Sequence, residues 1–155
     1  NASAGLMNGK NTVLINLGMI DMIGNDMNQW AALLGHEIAH ITLQHQGERV
    51  DRLGPQVLMQ VITYGAISDP ALRDLADMAF QAYETKFSRD AERESDYLGV
   101  IWALESGYDP RGAVLLHENF QKRSGGHPVP FLSTHPSSSE RLRTLRRLAD
   151  DLDDK

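Results

Sequence analysis

"LLGHEIAHITLQH", residues 33–45, places His36, Glu37 and His40 inside a run whose apolar spacing predicts a buried helix. Upstream, Asp26 followed three residues later by Gln29 has the form of a capping box. Trp30, Leu33, Leu34, Ile38 and Ile41 then recur near the helical period, and Gly47 is a reasonable stop. Ionisable groups on a core-packing element are costly unless they are partnered. The stretch is therefore either a metal site or a pair of satisfied histidines on a helix surface.

Helix geometry favours the first reading. Residues four apart lie about 40° apart in projection and one turn along the axis, so His36 and His40 present two imidazoles from one face. Glu37, about 100° round from His36, suits a general base near a metal-bound water better than a ligand. Shuffling a chain with 6 His would produce H-E-x-x-H about once in a hundred sequences, so the motif needs support from a third ligand.

His45 falls one residue short of the position where one known arrangement puts that ligand; Gln46 stands there instead. On a continuing helix His45 would point about 140° away from His40, so it reads as a polar residue at the helix end, favourable to the dipole. A Glu from a second helix is the other solution, and "SRDAERESD", residues 88–96, offers Glu92, Glu94 and Asp96. Glu92 and Asp96 share a face, with Asp96 suited to hold a ligating His, while Glu94 lies about 200° from Glu92 and points to solvent. The same run also reads as an exposed charged face paired with Arg89 and Arg93, and spacing alone does not choose between the two.

Composition narrows the chemistry. The 155 residues carry 21 acidic and 15 basic side chains, a net charge of −6, which argues against a nucleic-acid surface. With no cysteine, disulfides and thiolate sites are excluded, and any metal must be held by His and carboxylate. No apolar run approaches the roughly 20 residues that span a bilayer, so membrane association would come only through segments outside this sequence. The chain begins at Asn1 rather than Met and reads as one domain, residues 1–155, trimmed from a longer protein.

The expected fold is mainly α with a small N-terminal β element, an α+β arrangement. "NTVLIN", residues 11–16, behind an Asn-Gly turn signal, is the strand. Further helices are expected over about 55–67, after Asp69-Pro70, over 88–106 ended by Gly107, from Asp109-Pro110 to near Gly125-Gly126, and over about 138–152. Three prolines in "GGHPVPFLSTHP" forbid a continuous helix there. "RLRTLRRLADDLDD" reads as a solvated face, and Met19, Met22 and Met27 as core filler. His117 reads as structural and His127 as an ordinary loop residue.

Taken together, "NASAGLMNGKNTVLINLGMI", "LLGHEIAHITLQH", "FSRDAERESDYLG" and "FLSTHPSSSERL" resemble the M48 zinc metallopeptidases over nearly the whole chain. The resemblance is strongest to the bacterial periplasmic branch that acts in outer-membrane quality control, with mitochondrial and CAAX-processing members more distant. It implies a helical gluzincin-type domain holding one zinc ion per chain through His36, His40 and Glu92, with Glu37 as base and Asp96 behind the ligands. Ser95 departs from the alanine usual in the family, and its hydroxyl needs a partner. The resemblance also makes His135 a candidate fourth, inhibitory ligand, against the plain reading of an exposed loop histidine. Arg141, at the loop end, is a candidate for a developing oxyanion, and residues 12–16 for a strand that pairs with extended substrate or merely covers the core. The implied partners are misfolded or unassembled polypeptides. A zinc-stabilised binding or chaperone-like domain with little turnover is the alternative.

Overall fold

The computed structural model describes residues 2–7, 10–45, 87–124, 129, 131–136 and 138–153. Among these residues, two antiparallel strands, β1 (Ala2–Met7) and β2 (Lys10–Ile15), precede six helical segments. These are α1 (Leu17–Ile23), α2 (Met27–Thr42), α3 (Arg89–Glu105), α4 (Arg111–Ser124), the one-turn α5 (Phe131–Thr134) and α6 (Ser139–Asp153). The mainly helical class with a small β element is as expected. The helices expected over 55–67 and after Asp69-Pro70, the stop at Gly47, and His127 lie outside the described residues.

The hairpin registers Ala2 against Ile15 and Met7 against Lys10. β1 buries Ala2 and Ala4 and has the more extensive contact with α2, so the strand beside the central helix is β1 rather than residues 12–16. Asn16, expected to end the strand, instead caps α1: its side chain accepts from the Met19 N–H at 3.0 Å. That helix was not legible because Leu17 and Ile20 are exposed while Met19 and Ile23 are buried, so the apolar residues mark no single face. Met19 lies in the core and Met22 packs on it, but Met27 is exposed at the first turn of α2, contrary to the core role expected of it.

Asp26 caps α2 by accepting from the N–H groups of Asn28 and Gln29 at 3.0 and 3.1 Å. The reciprocal half of the box differs from expectation. Gln29 donates to the Asp26 carboxylate at 2.8 Å rather than to its backbone, and its Oε1 accepts from Asn119 of α4 at 2.9 Å. The burial of α2 departs from expectation at two apolar positions. Leu34 and Ile38 are exposed, whereas Gln29, Gly35, His36, Glu37 and His40 are buried with Ala32, Leu33 and Ala39.

α3 is the main neighbour of α2. Ser88 caps it by accepting from the Ala91 N–H at 3.1 Å, and Gly107, at φ 85°, follows its end. Where the helices cross, a Cβ on Gly35 would fall 2.7 Å from the Gly99 carbonyl oxygen, and one on Gly99 would fall 2.7 Å from the His36 nitrogen. Only glycine permits this approach. One apolar cluster, including Met19, Leu33, Phe120 and Phe131, fills one side of α2; a second, including Val100, Val114, Leu142 and Leu145, joins α3, α4 and α6. The outer face of α6 is solvated as expected: Arg146 pairs with Glu118, while Arg111 of α4 pairs with Asp150 and Asp153. Short α5 falls within the proline-rich stretch, over four residues that contain no proline.

Gly99→Ala should cost about 1–3 kcal/mol of stability, because the added methyl meets backbone that cannot rotate aside. Chemical denaturation compared with Gly107→Ala, which strains only a helix end with open space around it, would separate crowding from lost chain freedom.

Candidate metal centre

Three separate stretches of chain supply one cluster. α2 contributes His36 and His40, α3 contributes Glu92, and the residue after α5 is His135; one donor atom from each lies within 4.8 Å of all the others. His36 Nε2 is 3.0 Å from His40 Nε2, 3.2 Å from His135 Nδ1 and 3.6 Å from a Glu92 oxygen. The other Glu92 oxygen is 3.3 Å from His40 Nε2 and 2.9 Å from His135 Nδ1. A divalent ion held tetrahedrally by bonds of about 2.1 Å sets its donors about 3.4 Å apart. These residues fit such an ion in spacing and in chemistry, since imidazole and carboxylate suit it without thiolate.

The surroundings hold the donors still. Phe87 stacks on the His40 ring at 3.9 Å between centroids, and Phe131 stacks on His135 at 4.3 Å. The Phe87 N–H donates to the Thr134 carbonyl at 3.1 Å, tying the segment before α3 to α5. Burial drives His40 down to about 3 despite the Glu92 carboxylate, so its lone pair stays available. Burial opposes charge on Glu92, but the imidazoles of His135, His40 and His36 against it outweigh that and keep the carboxyl well below the usual range. For His36, burial lowers proton affinity and the Asp96 hydrogen bond raises it, with a net upward result.

Asp96 stands behind the donors, as its face on α3 implies. Its Oδ1 is 3.0 Å from His36 Nδ1 and 3.7 Å from His117 Nε2. Arg141 forks onto the same carboxylate through Nε and Nη2, both at 2.7 Å. Its Nη1 donates to the Pro136 carbonyl at 2.8 Å and also meets Glu92. Arg141 is buried, and these contacts commit its guanidinium to the two carboxylates and the loop rather than leaving it open to a substrate oxyanion, the role expected from its position. The reading of α6 as a solvated face fails at this one residue, where a charged side chain is drawn in by two carboxylates of α3.

Glu37 is fully buried on α2, and neither of its oxygens has a hydrogen bond among the described residues. Burial raises its proton affinity; His135 and His36 oppose that, and the nearby Ala4 N–H of β1 opposes it weakly. His135 Nε2 lies 3.4 Å from the Glu37 carboxylate, so His135 sits between the base and the other donors. The plain loop reading of His135 therefore gives way to a buried one.

His45 departs most from expectation. It is buried, with Nδ1 3.0 Å from His40 Nδ1, 3.3 Å from the Ser95 hydroxyl, and Nε2 3.3 Å from Glu94. On a continuing helix His45 would point away from His40, but Gln44 at φ 56° turns the chain. Glu94 is thus not turned wholly to solvent, and Ser95 has the partner its hydroxyl needs. The signal available in the sequence was that hydroxyl; the left-handed Gln44 left none.

Comparison with known proteins supplies the family. Residues 1–149 match the model of Peptidase family M48. The mitochondrial metalloendopeptidase OMA1 of Arabidopsis thaliana is 27% identical over 133 residues, covering 86% of this chain and 27% of that protein. The metalloprotease YcaL of Escherichia coli is 30% identical over 132 residues, covering 83% and 51%. The metalloprotease LoiP of the same organism is 26% identical over 133 residues, covering 83% and 52%. The chain thus spans between about a quarter and a half of the length of these relatives.

Asp96→Asn should weaken metal retention about 10- to 100-fold while helix content stays unchanged, since it removes the charge behind His36 but keeps an acceptor oxygen. Chelator competition on the variant measures this; wild-type retention would show that Asp96 serves only Arg141.

Proposed function

Since the chain belongs to peptidase family M48, matched over residues 1–149, we propose that it is the catalytic domain of a zinc-dependent endopeptidase. The observation that carries this reading is the set of four buried donors with the buried carboxylate of Glu37 beside them. His36, His40 and Glu92 hold the ion. Zinc, when bound, supplies Lewis acidity to the scissile carbonyl and to the attacking water. Glu37 takes the proton from that water and returns it to the leaving amine, and its burial strengthens its hold on the proton in between. Asp96 and Arg141 keep His36 and Glu92 in place.

His135 acts as a self-inhibiting residue in this reading. Its Nδ1 stands among the other donors and its Nε2 lies against Glu37, where an attacking water has to enter. Turnover therefore requires the segment that carries His135 to move aside. The resemblance drawn from the sequence motifs supplies the substrate class, extended segments of misfolded or unassembled protein, and a bacterial periplasmic setting. Among the described residues no helix is long and apolar enough to cross a membrane.

A second reading has its own support. Four protein donors with none left for water is the pattern of a structural zinc site, which would make the domain a zinc-stabilised binding or chaperone-like module. The two readings separate on variants. Glu37→Gln should keep one zinc and lose casein hydrolysis by about 10²–10⁴-fold. Glu92→Ala should lose the zinc, and His135→Ala should raise hydrolysis at constant zinc content. Elemental analysis beside a casein assay reads all three. Near-zero hydrolysis in wild type and His135→Ala alike, with zinc retained, would favour the binding module.

A further inference from the structure

We infer that His45 is a positioning residue for His40, passing the hold of Glu94 through its own ring to the second metal-holding imidazole. The inference rests on the metal reading above. His40 turns Nε2 toward His36 and Glu92, at 3.0 and 3.3 Å, which leaves Nδ1 pointing out of the cluster. A ligating imidazole is neutral, carries its proton on the other nitrogen, and needs an acceptor for it. For His36 that acceptor is the Asp96 carboxylate at 3.0 Å. For His40 it is His45 Nδ1, also at 3.0 Å.

One tautomer follows from this. If His40 Nδ1–H donates, His45 Nδ1 must accept, and the His45 proton must sit on Nε2. That nitrogen is 3.3 Å from Glu94 Oε2, an acceptor only. All donors then point one way, from His40 to His45 to Glu94. The opposite tautomer would set two N–H groups against each other at 3.0 Å and leave the carboxylate facing a lone pair. Ser95 Oγ, 3.3 Å from His45 Nδ1 and itself buried, steadies the ring from the neighbouring position on α3. The left-handed backbone at Gln44 brings His45 under His40, a conformation that non-glycine residues rarely adopt. Thus α3 backs both histidines of α2, one through a buried carboxylate and the other through an imidazole that ends on an exposed carboxylate.

Zinc competition with a chelator and histidine side-chain ¹⁵N spectra of the zinc-loaded protein test the relay together. His45→Ala should loosen zinc about 10- to 100-fold. His45→Gln should recover most of that loss, because its amide can accept from His40 and donate to Glu94. Glu94→Ala should loosen zinc about two- to fivefold, as suits an exposed partner, with the exposed Glu105→Ala unchanged. The spectra should show His45 protonated on Nε2 and His40 on Nδ1. Wild-type zinc affinity in both His45→Ala and Glu94→Ala, or an Nδ1-protonated His45, would overturn the relay while leaving the metal site standing. Should His45→Ala fail to fold, Glu94→Ala and the tautomer assignment decide alone. Failure of the wild type to bind zinc would instead overturn the metal reading itself, and the relay with it.

Discussion

Where α2 crosses α3, Gly35 and Gly99 let the two backbones approach so closely that a methyl on either would fall 2.7 Å from a backbone atom of the other. Glu92 and Asp96 lie on the face of α3 that Gly99 continues, and His36 follows Gly35 directly. Carboxylate side chains are short. Across this close crossing Asp96 lies 3.0 Å from His36 Nδ1, and Glu92 lies 3.6 Å from His36 and 3.3 Å from His40. The seam thus gives up apolar packing in order to bring charge into reach.

That exchange has consequences for electrostatics. Glu37, Glu92 and Asp96 are all placed within or just behind the cluster, and one guanidinium, that of Arg141, meets two of them. A buried ion pair is weak evidence of stability, because desolvation offsets the attraction. Here the pairing acts on geometry: the planar fork fixes the Asp96 carboxylate, and Asp96 in turn fixes the plane of His36. Glu37 is left out of the arrangement. Its buried carboxylate faces only the Ala4 N–H of β1 and, at 3.4 Å, the His135 ring among the described residues.

The site was more legible in the sequence than the packing that builds it. The i, i+4 spacing of His36 and His40, and of Glu92 and Asp96, is a property of the helix alone, so their faces could be assigned without tertiary knowledge. The cap at Asp26 was equally local. What escaped was whatever depended on a neighbour. Leu34 and Ile38 looked like core residues, but α2 turns its histidines inward. Arg141 was singled out by its place at the loop end, but its role followed from the carboxylates of α3 that it meets. His45 was misplaced by a single left-handed residue, Gln44, that carries no compositional mark of its conformation. The glycine seam was invisible for a related reason, since a glycine in a helix signals nothing until a second backbone lies against it.

The burial of α2 also ties the cluster to the fold as a whole. A helix that buries two imidazoles and a carboxylate while exposing Leu34 and Ile38 gains less from water than its composition allows. Beside the two apolar clusters, an ion held among the four donors would add stability from another source. His36 and His135 are 99 residues apart, and the backbone bond from Phe87 to Thr134 brings a third stretch of chain beside them. An ion bound by these side chains closes long loops that the unfolded chain leaves open. Because the unfolded chain has no such cluster, the free energy of binding is also free energy of folding. The polar face of α2 is therefore a cost to the metal-free chain and a source of stability to the metal-bound one.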